Sequence, residues 1–257
     1  MRQKLTRLVG KAIGDFDLIN QDDRILVALS GGKDSWSLLL ALKELQRKAP
    51  INYTLGAVTI HPGSGIFNTE PLVERLQQEG ISHEVIHGNL TQIVNNNLTD
   101  GTNPCSFCSR LRRGVLYSYA YQNRWNKIAI GHHADDFIET LLLNLFFNGL
   151  IKGMSPKLLS DDGRNIVIRP LVYVSEDLTS KFALENSLPI VGCSCPYMGM
   201  ANRRRDWVKN LISKIEMEAP NVKSSMLSAM GRVRSRHLWD LSKYDHSCKK
   251  DSLRQET

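Results

Sequence analysis

A short polar loop after an apolar run has the residue types of a phosphate-binding site. Ser30-Gly31-Gly32-Lys33-Asp34-Ser35 follows the run 24–29 and precedes an apolar-rich stretch. Glycines allow a tight backbone and close approach of an anion, and the free amides of a following helix favour negative charge. Lys33 adds a positive charge, whereas Asp34 would repel an anion unless a cation lies between them, which indicates Mg²⁺. A tight turn with a serine cap is the alternative interpretation.

A second polar loop follows another apolar run. Gly131-His132-His133-Ala134-Asp135-Asp136 comes after residues 127–130. Two histidines beside two aspartates have the donor atoms of a zinc or iron site. Adjacent side chains that leave a strand diverge, however, so at most one of each pair easily faces a given ion. The aspartates could instead stabilise a helix N-terminus, an effect of about 0.3–1 kcal/mol.

Four of the five cysteines fall in two close pairs, each followed by arginines. Cys105 and Cys108 lie in PCSFCSRLRR, Cys193 and Cys195 lie in GCSCPYMGMANRRR, and Cys248 stands alone in a polar tail. The odd number argues against a disulfide framework. Close pairs from distant segments are typical of a metal site, a cluster or a redox pair. The residues alone leave zinc, an iron–sulfur cluster, a persulfide relay and unrelated buried thiols open.

The composition of the 257 residues excludes several protein classes. The hydrophobic and charged fractions, 42% and 23%, are ordinary for a globular protein. No stretch approaches the roughly 18 apolar residues that cross a bilayer, and the first residues lack the apolar run of a signal peptide, so we expect a cytoplasmic protein. The net charge of +7 is concentrated in residues 201–257, which contain 13 Lys and Arg but only 7 Asp and Glu. A polyanion-binding surface and a solvated basic tail both fit this excess.

The alternation of apolar runs and helical patterns predicts an α/β fold. A basic amphipathic helix is expected over residues 2–18. Strands are expected near 24–29, 53–60, 82–86, 127–130 and 166–169, with helices between them and after 176. Such alternation implies a parallel five-stranded sheet with helices on both faces and a helical C-terminal extension. Because ligands bind at the carboxyl ends of parallel strands, both polar loops should open onto one edge.

Several motifs together carry a family resemblance. SGGKDS after a strand resembles the loop of the N-type ATP pyrophosphatases, and it differs from the GxxxxGK[ST] and GxGxxG loops. The segments KLTRLVGKAIGDFDLI, PCSFCSRLRRGVLY, GHHADDFIETLLLNLFFNG, LPIVGCSCP and SSMLSAMGRVRSRHLWD resemble the tRNA 2-thiocytidine synthetase (TtcA-like) family over about residues 4–240. The resemblance implies an adenine nucleotide alpha hydrolase-like, PP-loop ATPase fold. The expected organisation is a basic helix over 1–22, an ATP pyrophosphatase domain over 23–190 and a basic helical extension over 191–257.

The resemblance also implies a reaction. The expected activity is ATP-dependent thiolation of an anticodon-loop cytidine, position 32 in the family, by adenylation of its C2 oxygen and replacement with sulfur. The sulfur would be carried at a [4Fe–4S] cluster held by three cysteines. Carried over, Cys105 and Cys108 are two ligands and Cys195 is the third. Cys193 is the alternative third ligand, because this chain has CxC where the family usually has CxxC.

The implied residue roles follow the motifs. The expected catalytic residues are Lys33, Asp34, Asp136, Cys105 and Cys108. The expected ATP-binding residues are Ser30, Gly31, Gly32, Lys33, Asp34, Ser35, Gly131, His132 and Asp135. The arginines expected to bind tRNA are Arg110, Arg112, Arg113, Arg203, Arg204 and Arg205. Expected partners are tRNA, a sulfur donor such as a cysteine desulfurase and a second copy, with no membrane. The alternatives are a lysidine synthetase-like or 2-thiouridine-forming enzyme and a non-catalytic metal- and RNA-binding protein.

Overall fold

The computed structural model describes residues 1–63, 67–97, 104–192 and 203–238. In this part of the chain, six strands form one sheet in the order β3-β2-β1-β4-β6-β5. The strands are β1 (Asp23–Ala28), β2 (Tyr53–His61), β3 (Ser82–His87), β4 (Lys127–Ala129), β5 (Lys157–Leu159) and β6 (Ile166–Ile168). The helices are α1 (Arg2–Phe16), α2 (Lys33–Gln46), α3 (Glu70–Gln78), α4 (Leu90–Asn97), α5 (Pro104–Gln122), α6 (Ala134–Phe147), α7 (Glu176–Glu185), α8 (Arg203–Glu218) and α9 (Val222–Met230).

The sheet is mostly parallel, as the sequence predicted. β1, β2, β3, β4 and β6 run in one direction, and β5 pairs antiparallel with β6. The predicted count of five strands is therefore wrong, because the described residues contain a sixth, β5. Leu158 and Leu159 are 45% and 58% exposed. A short edge strand has one neighbour and little burial, so it lacks the buried apolar run that marks the other strands.

Helices cover both faces of the sheet. On one face Leu5 and Val9 of α1, Trp36 of α2 and Phe182 of α7 join the main core and are at most 1% exposed. On the other face Leu116 of α5 packs against alternate residues of the same strands. Each large apolar side chain buried in this way contributes roughly 1.5–3 kcal/mol to folding.

The C-terminal helices pack on α6. Ile138 and Leu142 of α6 form a small apolar cluster with Val208 and Ile212 of α8. This cluster fixes α8 beside the helix that follows the second polar loop. No helix in the described residues is both long and apolar enough to cross a membrane.

The two polar loops leave neighbouring central strands. β1 and β4 are parallel and adjacent, with Val27 opposite Ala129, so the residues after both strands emerge at the same edge. α5 packs on the sheet and ends just before β4 begins. The C-terminus of α5 therefore lies at the amino ends of the strands, opposite to the two polar loops. The N-terminus of α5, which carries the first cysteine pair, therefore lies toward the edge with the polar loops.

Candidate active site

The first polar loop is fixed by its own hydrogen bonds. The Ser35 hydroxyl donates to the Gly32 carbonyl oxygen at 2.9 Å and accepts from the Ser30 amide at 3.2 Å. Gly31 has a φ of +83°, a conformation that glycine adopts readily and other residues adopt at a cost. α2 begins at Lys33, so its first free amides face the loop, which is an arrangement suited to an anion.

A distant segment closes over this loop. The Val191 amide donates to the Gly31 carbonyl oxygen at 2.9 Å, and the indole of Trp36 donates to the Pro189 carbonyl oxygen at 3.0 Å. A Cβ on Gly31 would lie 3.0 Å from the Val191 carbonyl oxygen. The residues directly before the second cysteine pair are thus held against the loop. Cys193 and Cys195 themselves, and Cys248, lie outside the described residues.

The second polar loop contacts the first. A Cβ on Gly131 would lie 2.9 Å from the Ser35 amide nitrogen, so only a glycine permits this approach. His133 is 5% exposed, and its Nε2 lies 3.9 Å from the Asp34 carboxylate. The His133 amide donates to the Asp136 carboxylate at 3.1 Å, which caps the start of α6. The structure therefore brings the two loops together at the edge where their positions after parallel strands predicted both to lie.

Lys33 lies between two carboxylates. Its Nζ is 3.1 Å from Asp34 Oδ2 and 3.3 Å from Glu176 Oε1. Glu176 also accepts from Lys209 Nζ at 2.6 Å. Burial alone would raise the pKa of Glu176, but the two lysines outweigh it and lower the pKa to about 2. The other oxygen of Asp34 accepts a hydrogen bond from Thr179. Two residues of α7, Glu176 and Thr179, therefore contact Lys33 and Asp34 of the loop.

Asp135 joins the loops to the C-terminal helices. Its carboxylate accepts from the Glu176 amide at 2.8 Å and lies 3.2 Å from Lys223 Nζ. A cavity of about 270 Å³ opens beside this junction, lined by residues of α6, α7, α8 and α9 that include Glu139 and Ser213. Asp135 thus serves as a structural junction between α6, the start of α7 and α9.

His132 is held neutral. Its Nδ1 accepts a hydrogen bond from Arg169 Nε at 3.2 Å. Because arginine is only a donor, this contact assigns the imidazole proton to Nε2. Burial lowers the pKa of His132 to about 4, and the Arg169 charge acts in the same direction. His132 therefore supplies a neutral N–H donor to this edge of the sheet.

The first cysteine pair lies on the first turns of α5. Cys105 is exposed and Cys108 is half-buried, and neither forms a disulfide among the described residues. Their i, i+3 spacing places both thiols on one side of the helix. In the described part of the chain, no group of three or more His, Cys, Asp or Glu side chains is arranged to hold a metal.

Comparison with known proteins identifies the family. A model of the PP-loop domain matches residues 1–192. A tRNA-cytidine(32) 2-sulfurtransferase from Syntrophotalea carbinolica is 46% identical over 243 residues, which cover 95% of this chain and 94% of that protein. One from Geobacter metallireducens is 48% identical over 238 residues, which cover 93% of each chain. The chain belongs to the tRNA-cytidine(32) 2-sulfurtransferase family.

A solved structure supports the assignment of the fold. The U34-tRNA thiolase NcsA from Methanococcus maripaludis, solved with its [4Fe-4S] cluster, superimposes with a TM-score of 0.72. It is 26% identical, and the match covers 90% of this chain and 77% of that one. The PP-loop α/β fold and the expected membership of the 2-sulfurtransferase family are confirmed.

The arginines of this family member divide into two environments. Arg205 Nε lies 3.1 Å from Glu139 Oε2, and its guanidinium is 3.8 Å from Asp136. Burial raises the pKa of Glu139, although Arg205 opposes that shift. Arg203 and Arg204, on the same first turn of α8, are exposed. On α5, Arg110 and Arg113 are exposed and Arg112 is half-buried. Arg205 thus faces the carboxylates of α6, unlike its two neighbours.

Several functional contacts in this 2-sulfurtransferase family member were missed from the sequence. Glu176 contacts Lys33, Thr179 contacts Asp34, and Arg169 sets the tautomer of His132. Each lies far along the chain from the loop that it touches, outside any motif that spacing could mark. The sequence did contain one local signal, because Ser175 followed by the acidic Glu176 and Asp177 is typical of a helix N-terminus. That signal marks the start of α7 but not the loop that it contacts.

Proposed function

We propose that this chain thiolates C2 of cytidine 32 in tRNA, using ATP. The contact between the two polar loops carries the proposal. Lys33 and Asp34 of the first loop meet His133 of the second at the carboxyl edge of the sheet. Phosphate-binding amides, one lysine and several carboxylates therefore converge on one point, as a nucleotide with its divalent cation requires.

The loop residues would hold the nucleotide phosphates. The amides at the start of α2 and the Lys33 ammonium suit the departing pyrophosphate, and Lys33 would exchange Glu176 for a phosphate oxygen. The oxygen donors of Asp34 and Asp136 fit Mg²⁺. The buried His133 ring lies between the two loops, with Nε2 3.9 Å from Asp34 and Nδ1 3.6 Å from Asp136.

The reaction has two displacements. The C2 oxygen of the cytidine attacks the α-phosphorus, the bond to the bridging oxygen breaks, and pyrophosphate leaves. Lys33 stabilises the negative charge that develops on the departing group. Sulfide then adds to C2, and AMP leaves with the former C2 oxygen. His132, neutral and protonated on Nε2, offers a hydrogen bond without adding a charge.

The first cysteine pair fits a cluster-binding role. Cys105 and Cys108 share one side of α5 and keep access to solvent. They would hold a [4Fe–4S] cluster together with Cys195, with Cys193 as the alternative third ligand. When bound, this cluster would supply the sulfur-transfer chemistry of the second displacement. The Val191 amide, two residues before Cys193 in the sequence, donates to the Gly31 carbonyl oxygen of the nucleotide loop.

The substrate must present an unpaired base. A cytidine in an anticodon loop can be splayed out into the site without breaking a duplex. The exposed Arg110, Arg113, Arg203 and Arg204, with the half-buried Arg112, would bind the surrounding phosphates. Arg205, expected from the sequence to do the same, is instead paired with Glu139. We further propose a cysteine desulfurase as the sulfur donor, a homodimeric assembly and a cytoplasmic location.

Pyrophosphate release on addition of tRNA tests the proposal. We expect Lys33→Ala to abolish this release while tRNA binding is retained. Lys11→Ala, at an exposed lysine of α1, is the matched control and should behave as wild type. Mass spectrometry of the product should show 2-thiocytidine, and anaerobically purified protein should contain iron and sulfide.

Other products would overturn the proposal in distinct ways. Lysidine or 2-thiouridine in the tRNA would assign another PP-loop chemistry. tRNA binding without pyrophosphate release would assign a non-catalytic RNA-binding protein. Full activity in air with no bound iron would exclude the cluster.

A further inference from the structure

An exposed aromatic cluster lies outside the site described above. It consists of Phe146 and Phe147 at the end of α6 and Trp207 on α8, which are 48%, 39% and 51% exposed. The Trp207 ring centroid lies 5.9 Å from that of Phe146 and 5.7 Å from that of Phe147, in edge-to-face arrangements. Three large rings held together at a surface form an apolar patch of the kind that marks a binding site.

One basic side chain contacts this aromatic cluster, and two more are exposed on the neighbouring chain segments. The Arg204 guanidinium lies over the Phe147 ring, 5.0 Å from its centroid. Arg203 is exposed on the same turn of α8, and Lys152 is exposed on the loop after α6. Asp206 is the acidic residue of this stretch of α8. Aromatic rings among cations are the pattern by which proteins bind single-stranded nucleic acid, since bases stack on rings and phosphates pair with cations.

The aromatic cluster lies at the C-terminal end of the helix that begins at the nucleotide site. Asp136 stands at the start of α6 and Phe147 at its end, eleven residues apart, which corresponds to about 16 Å along a helix. Two adjacent arginines of α8 contact the two regions, because Arg205 pairs with Glu139 and Arg204 lies over the Phe147 ring. An RNA loop with one base in the site would therefore pass close to the aromatic cluster.

We propose that the aromatic cluster Phe146, Phe147 and Trp207 is a stacking platform for an unpaired base of the tRNA loop, a few nucleotides along the chain from the base that reacts. This inference rests on the proposed function, and it adds a binding subsite for a second nucleotide. The platform would hold the loop in an opened conformation, so that the target cytidine stays out of the stack. Arg203 and Arg204 would pair with the phosphates on either side of the stacked base.

The charge at the aromatic cluster favours RNA over a second copy of the chain. A twofold interface uses the same surface on both subunits. Two copies joined here would bring the Arg203 and Arg204 pairs of both subunits toward each other, with Asp206 as the nearby acid. Like charges brought together at an interface disfavour association, whereas phosphates are complementary to them.

Binding of a fluorescein-labelled anticodon stem-loop RNA tests the platform. We expect Trp207→Ala to weaken binding at least fivefold, since one base–aromatic stack is worth about 1–3 kcal/mol. Trp207→Phe keeps a ring and should restore most of the affinity. Met217→Ala, at a residue of the same helix that is 78% exposed, is the matched control and should bind as wild type. Phe146→Leu preserves apolar packing without a ring and should also weaken binding.

A blunt-ended RNA duplex with the same number of phosphates separates stacking from charge. Because a duplex offers no unpaired base, its affinity should be unchanged in Trp207→Ala. Equal stem-loop affinity in wild type and Trp207→Ala would overturn the platform. So would conversion of a dimer to a monomer in sedimentation with unchanged RNA affinity, which would assign the cluster to a subunit interface. Wild-type protein that binds neither RNA would instead overturn the proposed function.

Discussion

The Lys33 ammonium lies 3.3 Å from the Glu176 carboxylate, across 143 residues of sequence. The same carboxylate accepts from Lys209 of α8, so Glu176 links the nucleotide loop to the C-terminal helices. A phosphate that binds Lys33 must compete with this carboxylate. Glu176 is thus positioned to set how Lys33 is oriented when the site holds no nucleotide.

The stability contributed by Glu176 should depend on pH. Its pKa is about 2 in the folded protein against an ordinary 4.5, so the stabilisation is present above about pH 4.5 and is lost as the pH falls toward 2. Glu176→Gln should lower the free energy of unfolding by about 1 kcal/mol at pH 6, a value reduced by solvent screening. In thermal melts between pH 6 and pH 3, the difference in melting temperature between Glu176→Gln and wild type should shrink as the pH falls.

Asp177 provides the matched control for this pH experiment. It is the next acidic residue of α7, and its side chain is 69% exposed in an ion pair with Lys181. Asp177→Asn should therefore change stability little at any pH. A difference between Glu176→Gln and wild type that stays constant down to pH 3 would contradict the assigned pKa.

Gly31 should tolerate no side chain. Its φ of +83° costs other residues about 1–2 kcal/mol, and a Cβ would press against the Val191 carbonyl oxygen. Gly31→Ala should thus lower the unfolding free energy by at least about 1 kcal/mol. Gly32→Ala is the comparison, because Gly32 has a φ of −80° and its Cβ would meet the Ser30 hydroxyl at 3.4 Å. Equal melting temperatures for both variants would show that the Val191 contact does not constrain the loop.

His132 should remain neutral across the physiological range. Burial lowers its pKa to about 4 from an ordinary 6.5, so its contribution to stability is present above pH 6.5 and is lost as the pH falls toward 4. An NMR titration should show no change of its ring signals between about pH 5.5 and 8. Arg169→Gln should raise the pKa but keep it below 6.5, because the burial remains. A wild-type transition near pH 6.5 would contradict this environment.

Local patterns were sufficient to predict the two loops, but not what surrounds them. Gly31 and Gly131 stand directly after apolar strands, so their position at one edge follows from the parallel sheet. Glu176 and Arg169 contact those loops from distant positions in the sequence, with several helices or strands in between. No spacing rule connects residues so far apart. α4 and β5 were missed because each is short and carries few buried residues.

The arginines of α8 should differ in their contribution to tRNA binding. Arg203 and Arg204 are exposed and able to pair with phosphates, whereas Arg205 is already paired with the buried Glu139 carboxylate. Replacing Arg203 and Arg204 together with glutamine should reduce the slope of log affinity against log salt by about 1.4–1.8, at about 0.7–0.9 per phosphate. Arg205→Gln should leave that slope nearly unchanged.

Arg205→Gln should act on stability instead. Removing the guanidinium leaves Glu139 buried without its partner, which raises the pKa of that carboxyl further and lowers the unfolding free energy by about 1–3 kcal/mol. Fluorescence anisotropy with tRNA at several salt concentrations and thermal melts of the same variants separate the two roles. A salt slope that falls equally for Arg205→Gln and for each exposed arginine would mean that Arg205 leaves Glu139 to bind phosphate when tRNA is present.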